Sequence, residues 1–259
     1  MLEFSGAGTA LSTGGLEEAS RAVGLGLAEV WAVISVETSG CGYLPDRRPK
    51  ILFERHIFHH LTDGRFDNRD PDISQPTAGG YGAGGAHQYD RLAAAMRFDS
   101  IAALQSASWG MGQIMGENFK AAGFEEVGDM AEAMVASEDD QLLAATKFML
   151  ANSMSEPLRN HDWAGFARRY NGPDYAAHDY NGRLHAAYQR YVDGGLPDLR
   201  IRAAQIYLGY RGFPKDARAL AVDGVMGPST AAALREFQQS VGAEPTGIVD
   251  DALIAQLLA

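Results

Sequence analysis

The sequence predicts a mainly helical protein with a large N-terminal domain and a small C-terminal one. Apolar side chains recur at the i, i+3, i+4 and i+7 positions that share one face of an α-helix. The first such set consists of Leu27, Val30, Trp31 and Ile34. Similar periodicity returns after a long polar segment, and the run Gly194-Gly195-Leu196-Pro197 then interrupts it. That interruption indicates a domain boundary.

Composition and charge exclude several classes of protein. The chain has 259 residues, of which 46% are hydrophobic and 21% charged, as in folded globular proteins. The formal net charge of −11 disfavours nucleic acid as a partner, because attraction to phosphate needs clustered Lys and Arg. Cys41 is the one cysteine, which excludes an intramolecular disulfide and is consistent with synthesis in a reducing compartment.

Targeting signals are not apparent in the sequence. The N-terminus lacks the basic and apolar regions of a secretory signal peptide. No apolar stretch approaches the roughly 18 residues that a membrane-spanning helix needs. We expect a monomer that is made in the cytoplasm and inserts into no membrane.

The chain divides into three parts. Residues 1–15 are rich in Gly, Ser and Thr and are predicted to be a loosely held leader. Residues 16–194 form the large domain, with a short strand within 49–54. A polar, glycine-rich segment at 63–90 is expected to be a loop, either functional or simply solvated. Residues 198–259 form the small domain.

Several helix boundaries can be predicted from capping residues and turns. Ser137, followed by Asp140, indicates a helix N-terminus. Further helices are expected over residues 162–170 and 180–192. In the small domain, two related units each combine a turn with a helix, and Ser229 is expected to cap the helix of the first unit.

Glu37 is the first candidate catalytic residue. It follows Ile34 by three positions and Val30 by seven, so it continues the apolar face into the last turn of its helix. Burial and the partial negative charge of a helix C-terminus both favour a protonated carboxyl group. A general acid that works near neutral pH needs such a group. The alternative is a glutamate that extends into solvent at a helix end.

Two further segments carry groups that suit glycan recognition. Ser108, Trp109 and Gln113 lie in a run whose two glycines allow close backbone approach, and Tyr170-Asn171 ends a helix with a ring and an amide. Rings can cover sugar faces, and amides can bond hydroxyl and acetamido groups. Each signal is weak alone, because a ring such as Trp109 or Tyr170 is more often a core residue than a ligand contact.

Taken in order, these segments resemble a known superfamily. Glu37-Thr38-Ser39-Gly40, Ser108 to Met115 and Tyr170-Asn171-Gly172 are similar to motifs of the lysozyme-like soluble lytic transglycosylases and goose-type lysozymes. The finer resemblance, over residues 16–192, is to the N-acetylmuramidase domain of bacteriophage and prophage endolysins. It is carried by the segments 32–40, 48–58 and 106–118.

The small domain resembles the three-helix peptidoglycan-binding domain type 1. The resemblance rests on residues 222–230 and 234–238. It implies a cell-wall-binding role for Asp223, Gly224, Gly227, Thr230, Phe237 and Gln238. A module of this kind would raise the effective concentration of the enzyme at an insoluble polymer. Together the two resemblances imply a lysozyme-like α domain with a small β element, followed by a three-helix domain.

The resemblance implies cleavage of the β-1,4 bond between N-acetylmuramic acid and N-acetylglucosamine. Glu37 would protonate the leaving oxygen, and hydrolysis normally uses a second carboxylate. Asp46 and Glu54 are equal candidates for it. Glu54 could instead pair with Arg55 or a neighbouring Arg, and a turn Asp such as Asp46 is common for backbone reasons alone. The expected substrate contacts are Ser108, Trp109, Gln113, Tyr170 and Asn171.

Other functions remain open at this stage. A lytic transglycosylase would use one Glu and form 1,6-anhydro ends, and a wall-binding protein would have a decayed catalytic half. A zinc peptidase is disfavoured: His56, His59, His60 and His87 lack the H-E-x-x-H spacing. We expect no metal and no cofactor. The expected partner is the peptidoglycan glycan strand. The enzyme would reach it in the periplasm after membrane permeabilisation, and cleavage would lead to host-cell lysis.

Overall fold

The structure is a computed structural model with helices throughout and one small sheet. It describes residues 4–38, 40–170, 172, 176, 179–215 and 218–259. The helices are α1 (Thr13–Val23), α2 (Leu27–Thr38), α3 (Arg55–Leu61), α4 (His87–Met96), α5 (Ser100–Gln105), α6 (Val127–Ala136), α7 (Glu138–Ala151), α8 (Ser155–Arg159), α9 (Trp163–Tyr170), α10 (Tyr180–Gly194), α11 (Leu199–Tyr210), α12 (Pro228–Ser240) and α13 (Asp251–Leu258). The expected mainly α class is confirmed.

Three short strands form the sheet. They are β1 (Ile51–Phe53), β2 (Ala107–Trp109) and β3 (Ile114–Met115), hydrogen-bonded in the order β1-β2-β3. Both pairs are antiparallel, with Phe53 opposite Ala107 and Trp109 opposite Ile114. A single 3₁₀ turn, Gly116–Asn118, follows β3. The sheet is the small β element that the resemblance implied.

Helix α2 is the central helix of the large domain. We expected one apolar face, but Ala32, Val33 and Val36 are buried as well as the predicted Val30 and Ile34. Helices α1 and α10 pack against it, which explains why apolar residues cover more than one face. The core around α2 is separate from a second core beside the sheet, and Tyr170 packs against both.

The N-terminal segment is held firmly, unlike the loose leader that its composition predicted. The Thr9 carbonyl accepts a hydrogen bond from the backbone N–H of Glu138 at 2.9 Å. The Ala10 backbone N–H donates to the Tyr207 hydroxyl at 3.0 Å. The Phe4 ring centre lies 5.6 Å from that of Trp109. Since these contacts reach both domains, the segment is part of the folded core.

The small domain is built from α11, α12 and α13. The Asp198 and Asp250 side chains accept backbone N–H bonds at the starts of α11 and α13. Helix α12 begins differently from the prediction. Its N-cap is Gly227, with Pro228 in the first turn, so Ser229 is not the cap.

The core of the small domain continues into the large one. Cys41 and Tyr43 belong to the same buried cluster as Tyr207, Leu234 and Phe237. Burial first, and then the charge of Glu138, raises the pKa of the Cys41 thiol to about 11. The two domains are therefore packed together, not joined as a freely tethered pair.

Two long side chains of α4 hold the loop before that helix. Gln88 donates to the carbonyl groups of Tyr81 and Ala83 at 2.8 Å each, and Arg91 donates to the Gly80 carbonyl at 2.6 Å.

Among the described residues, no single helix is long and apolar enough to cross a membrane. The consecutive pair Thr13–Val23 and Leu27–Glu37, bent by 106°, meets the length and composition criteria only jointly.

Candidate active site

Glu37 lies at the C-terminal end of α2, close to two tyrosines. Its side chain is half-buried. Burial, and after it the negative charge of Glu37, raises the pKa of both the Tyr170 and the Tyr180 hydroxyl groups. The carbonyl group of the preceding residue, Val36, accepts a hydrogen bond from Arg183 of α10 at 3.0 Å. The end of α2 is thus held between α9 and α10.

Tyr170 connects this carboxylate to the glycine-rich turn between β2 and β3. Its hydroxyl donates to the Gly112 carbonyl at 2.6 Å. A Cβ atom on Gly112 would lie 2.6 Å from the Ala145 Cβ and 3.3 Å from the Tyr170 hydroxyl. A glycine is therefore needed there, as the sequence pattern indicated. Asn171, the neighbouring predicted contact, lies outside the described residues.

Gln113 and Ser108 hold the same turn from within. The Ser108 hydroxyl donates to Gln113 Oε1 at 2.9 Å, and Gln113 Nε2 donates to the Gly110 carbonyl at 2.9 Å and the Lys50 carbonyl at 3.2 Å. Gln113 also has a left-handed backbone, with φ of 47°. Its amide is committed to shaping the turn, a role that the sequence analysis did not foresee.

Trp109 is a core residue in this structure. Only 1% of it is exposed, and its indole N–H donates to the Leu104 carbonyl at 3.1 Å. No face of the ring is free for a sugar. We therefore correct the expectation of a substrate contact and assign Trp109 to the core beside the sheet.

The two candidates for the second carboxylate have very different surroundings. Asp46 lies in the turn closed by the Arg47 N–H and the Leu44 carbonyl, and Arg48 donates to its carboxylate at 2.9 and 2.6 Å. Burial opposes ionisation of Asp46, but the Arg48 hydrogen bonds outweigh it and lower the pKa of the Asp46 carboxyl. The carboxylate is thus engaged in a partly exposed ion pair.

Glu54 is the more buried carboxylate. It follows β1 and precedes α3, and its backbone N–H donates to the Ser106 carbonyl at 2.8 Å. Burial raises the pKa of the Glu54 carboxyl, while the charges of His56 and Arg91 and a hydrogen bond from Tyr81 oppose that rise.

The ionic partner of Glu54 is His56, whose Nδ1 lies 3.1 Å from its carboxylate. Of the arginines expected from the sequence, Arg55 donates from Nε to the Thr77 carbonyl at 3.2 Å instead, whereas the charge of the neighbouring Arg91 does act on Glu54. Two of the other histidines contact different carboxylates: the His59 ring lies 2.8 Å from Asp67, and the His87 ring lies 3.3 Å from Asp90. Across the described parts of the chain, no three His, Cys, Asp or Glu side chains are grouped so that they could hold a metal ion.

Two polar residues on one face of α7 were not predicted from the sequence. Glu138 accepts the Gly42 backbone N–H at 2.8 Å, in the turn after Glu37. Gln141, three residues later, accepts the Met111 backbone N–H at 2.7 Å, in the turn before Gly112. Both side chains are buried. One helix therefore positions both turns, and the only signal in the sequence was the predicted α7 N-terminus at Ser137, whose hydroxyl does accept the Asp140 N–H.

Most of the predicted wall-binding residues have structural roles in the small domain. Gln205 of α11 accepts the backbone N–H groups of Asp223 and Gly224 and donates to the Thr230 hydroxyl. Phe237 is buried, and Gln238 accepts the Gly247 N–H at 2.8 Å.

A cavity of about 310 Å³ lies beside the loop that contains Asp223 and Gly224. Asp223, Gly227 and Thr230 contribute to its wall, together with Arg218 and Ser229.

The architecture is a lysozyme-like helical domain with a small sheet, followed by a second, helical domain. The sequence profile of the N-acetylmuramidase family matches residues 26–192. The chain belongs to this family. A second profile, that of a peptidoglycan binding domain, matches residues 198–257. The protein is accordingly a peptidoglycan hydrolase that carries its own peptidoglycan-binding domain.

One solved structure supports the same assignment. The crystal structure of the Burkholderia AP3 phage endolysin is 41% identical in sequence to this chain. The similarity covers 71% of this chain and 72% of the other, with a TM-score of 0.66. No curated protein matches the chain significantly.

Proposed function

We propose that the protein is an endolysin that hydrolyses the β-1,4 bond between N-acetylmuramic acid and N-acetylglucosamine, with Glu37 as the general acid. The observation that carries this proposal is the end of α2, where the half-buried Glu37 lies near Tyr170, whose hydroxyl is fixed on the Gly112 carbonyl, and near the half-buried Tyr180. A proton donor to a glycosidic oxygen needs a shielded carboxyl group with fixed neighbours. The half-buried position of Glu37 meets that need.

The tyrosines and the glycine turn would shape the substrate cleft. Tyr170 is fixed by the Gly112 carbonyl, so its ring can define one wall without moving. Tyr180, half-buried beneath the Arg183 guanidinium, adds a second ring at the same carboxylate. Gln113, Ser108 and Asn171 stay proposed contacts, the first two through the backbone of the turn that they hold.

Glu54 is the second carboxylate that the surroundings favour. Its raised pKa makes its ionised form a stronger base, which suits activation of a water molecule. His56, Tyr81 and Arg91 supply the opposing charge and hydrogen bond that keep it ionisable. Asp46, held by Arg48, is a weaker base because its pKa is lowered. We therefore assign the base or nucleophile role to Glu54 ahead of Asp46.

The small domain would hold the enzyme on the cell wall. Its cavity, with Arg218 and Ser229 at the rim, offers a cation and a hydroxyl group to a glycan or its stem peptide. Because the net charge of the chain is −11 and the wall polymer is largely anionic, binding would depend on such short-range contacts. We place the site of action at the wall, in the periplasm, once the membrane has been permeabilised.

The test is mass spectrometry of the muropeptides released from purified sacculi. Hydrolysis is expected to give N-acetylmuramic acid with a reducing end. Glu37→Gln should abolish release while leaving the circular dichroism spectrum and melting temperature near those of the wild type. Glu54→Gln should reduce release about a hundredfold or more, within the range typical of acid–base groups.

Asp46→Asn is the matched control, and we expect it to change the rate less than threefold. Predominantly 1,6-anhydro ends would move the protein to the lytic transglycosylases, which need no second carboxylate. Full activity of Glu37→Gln would overturn the assignment of the general acid.

A further inference from the structure

Arg202 of the small domain reaches into the large domain. It lies on α11 and is fully buried. Its Nη1 and Nη2 donate to the two Glu138 carboxylate oxygens at 2.6 and 2.9 Å. Its Nε donates to the Gly40 carbonyl at 3.0 Å, and Nη2 donates to the same oxygen. Gly40 follows Glu37 by three residues.

Glu138 also bonds directly to the turn that contains Gly40 and Gly42. Its two oxygens also accept the Gly42 N–H and the Leu11 N–H, each at 2.8 Å. One buried ion pair therefore holds the turn from both sides, by the Gly40 carbonyl and by the Gly42 amide. Arg202 also lies over the ring of Trp31 on α2, 5.6 Å from its centre. Both the catalytic helix and the turn that leaves it are in contact with this one arginine.

The backbone of the small domain rests on the same turn. A Cβ atom on Gly40 would lie 2.3 Å from the Val222 carbonyl oxygen, and Gly40 has φ of 89°. Val222 immediately precedes the Asp223-Gly224 loop that Gln205 holds. Gln205 lies one helical turn after Arg202 on α11. One helix of the small domain thus supports both its own binding loop and the turn after Glu37.

We infer that the small domain is a fixed part of the catalytic apparatus, in which Arg202 is a positioning residue for Glu37. This inference rests on the proposed role of Glu37 as general acid. The planar guanidinium binds a carboxylate and a carbonyl group at the same time, which a lysine ammonium does less well. Because the pair is shielded from water, its geometry is well defined. A small displacement of a catalytic group can lower the rate by up to about a hundredfold.

The experiment compares full-length variants on soluble, uncross-linked glycan fragments and on whole sacculi. Arg202→Lys keeps a positive charge beside Glu138 but loses the simultaneous hold on Gly40. We expect its kcat to fall about tenfold with KM within twofold of the wild type, and its binding to sacculi to stay unchanged. The pH–rate profile should also shift, because Glu37 would meet a different environment. If Arg202 served folding alone, the Arg202→Lys substitution would not change kcat measured below the melting temperature. It would not shift the pH–rate profile either.

A double variant covers the case in which Arg202→Lys fails to fold. Arg202→Met with Glu138→Gln leaves no unpaired buried charge, so we expect a folded protein with the same loss of kcat. Arg200→Lys is the matched control, since Arg200 lies on the same helix but pairs with the exposed Asp251. Tyr210→Phe is a second control, because it removes an interdomain bond to Gly8 and leaves in place the Arg202–Gly40 and Glu138–Gly42 bonds that hold the turn.

The outcomes separate this inference from the proposed function. Wild-type kcat in a folded Arg202→Lys or double variant, with Glu37→Gln inactive, would overturn the positioning role alone. An equal loss of kcat in Arg200→Lys or Tyr210→Phe would also overturn it, because the effect would then be general to the small domain. A fully active Glu37→Gln would instead remove the proposed general acid itself.

Discussion

The hydroxyl group of Tyr170 lies 2.6 Å from the carbonyl oxygen of Gly112, and this bond joins α9 to the turn between β2 and β3. The turn belongs to the sheet, whereas Glu37 ends α2, whose apolar residues form the helical core, and Tyr170 packs against both cores. The bond therefore sets the distance between the two sides of the proposed cleft.

Removing that bond should affect turnover more than stability. We expect Tyr170→Phe to cost about 1 kcal/mol of unfolding free energy, the usual net value of one hydrogen bond. Its kcat should fall about tenfold because the wall beside Glu37 loosens. Urea unfolding and muropeptide release measure the two effects. Tyr191→Phe is the control: Tyr191 has an exposed partner, Arg190, and both values should stay near wild type.

The raised pKa of Glu54 predicts how stability depends on pH. Burial disfavours the ionised carboxylate in the folded protein, so the stability that the protonated form contributes is complete below the usual glutamate pKa of about 4.3 and is lost as the pH rises through the raised value. Glu54→Gln, which cannot ionise, should melt at a higher temperature than the wild type at pH 7. The difference should vanish below about pH 4.

Asp46 should make stability depend on pH in the opposite direction, so it is the internal control for the Glu54 experiment. Its pKa is lowered, so its contribution is present above the usual aspartate pKa and is lost as the pH falls through the lowered value. Asp46→Asn should therefore melt slightly below the wild type at pH 7 and match it in acid. If both variants changed the melting temperature at pH 7 in the same direction, the environments assigned to Glu54 and Asp46 would be wrong.

His56 should set the acid limb of the activity profile through Glu54. The charge of His56 holds the Glu54 pKa down against the effect of burial. We expect His56→Gln to raise that pKa further and move the acid limb of log kcat/KM to higher pH, since the base must be ionised. His87→Gln is the control, because His87 pairs with the exposed Asp90. An unmoved acid limb in His56→Gln would remove Glu54 from the base role.

Trp109 should behave as a core residue in kinetic experiments. Trp109→Phe loses packing and the bond to the Leu104 carbonyl, so we expect it to destabilise the protein by roughly 1–3 kcal/mol. KM for glycan fragments should not change below the melting temperature. A rise in KM without loss of stability would restore the sugar contact that the sequence suggested.

Arg218 tests the cavity in the small domain. We expect Arg218→Ala to weaken binding to purified sacculi about three- to tenfold, since an exposed charge contributes on the order of 1 kcal/mol. Cosedimentation measures this directly. Arg235→Ala, an exposed arginine on α12, should bind as the wild type does. Equal losses in both variants would indicate a general charge effect instead of a site.

The sequence was most informative where local patterns decide the structure. Helical periodicity located α2 and its terminal carboxylate, and the glycine spacing located the turn that contains Gly112. It was uninformative about Glu138 and Arg202, which are 64 residues apart and read individually as surface charges. Their burial arises from the packing of two domains. For the same reason the Gly-, Ser- and Thr-rich N-terminus resembled a loose tail, although its backbone groups bond to α7 and α11.

Burial of Cys41 between the domains protects its thiol chemically. With a pKa near 11, almost none of the thiol is thiolate at neutral pH, and the thiolate is the form that reacts with oxidants and attacks disulfides. Only 6% of the residue is exposed, which disfavours a disulfide with a second copy of the chain. A chain that passes from a reducing to an oxidising environment would therefore arrive with this thiol intact, free of covalent dimers.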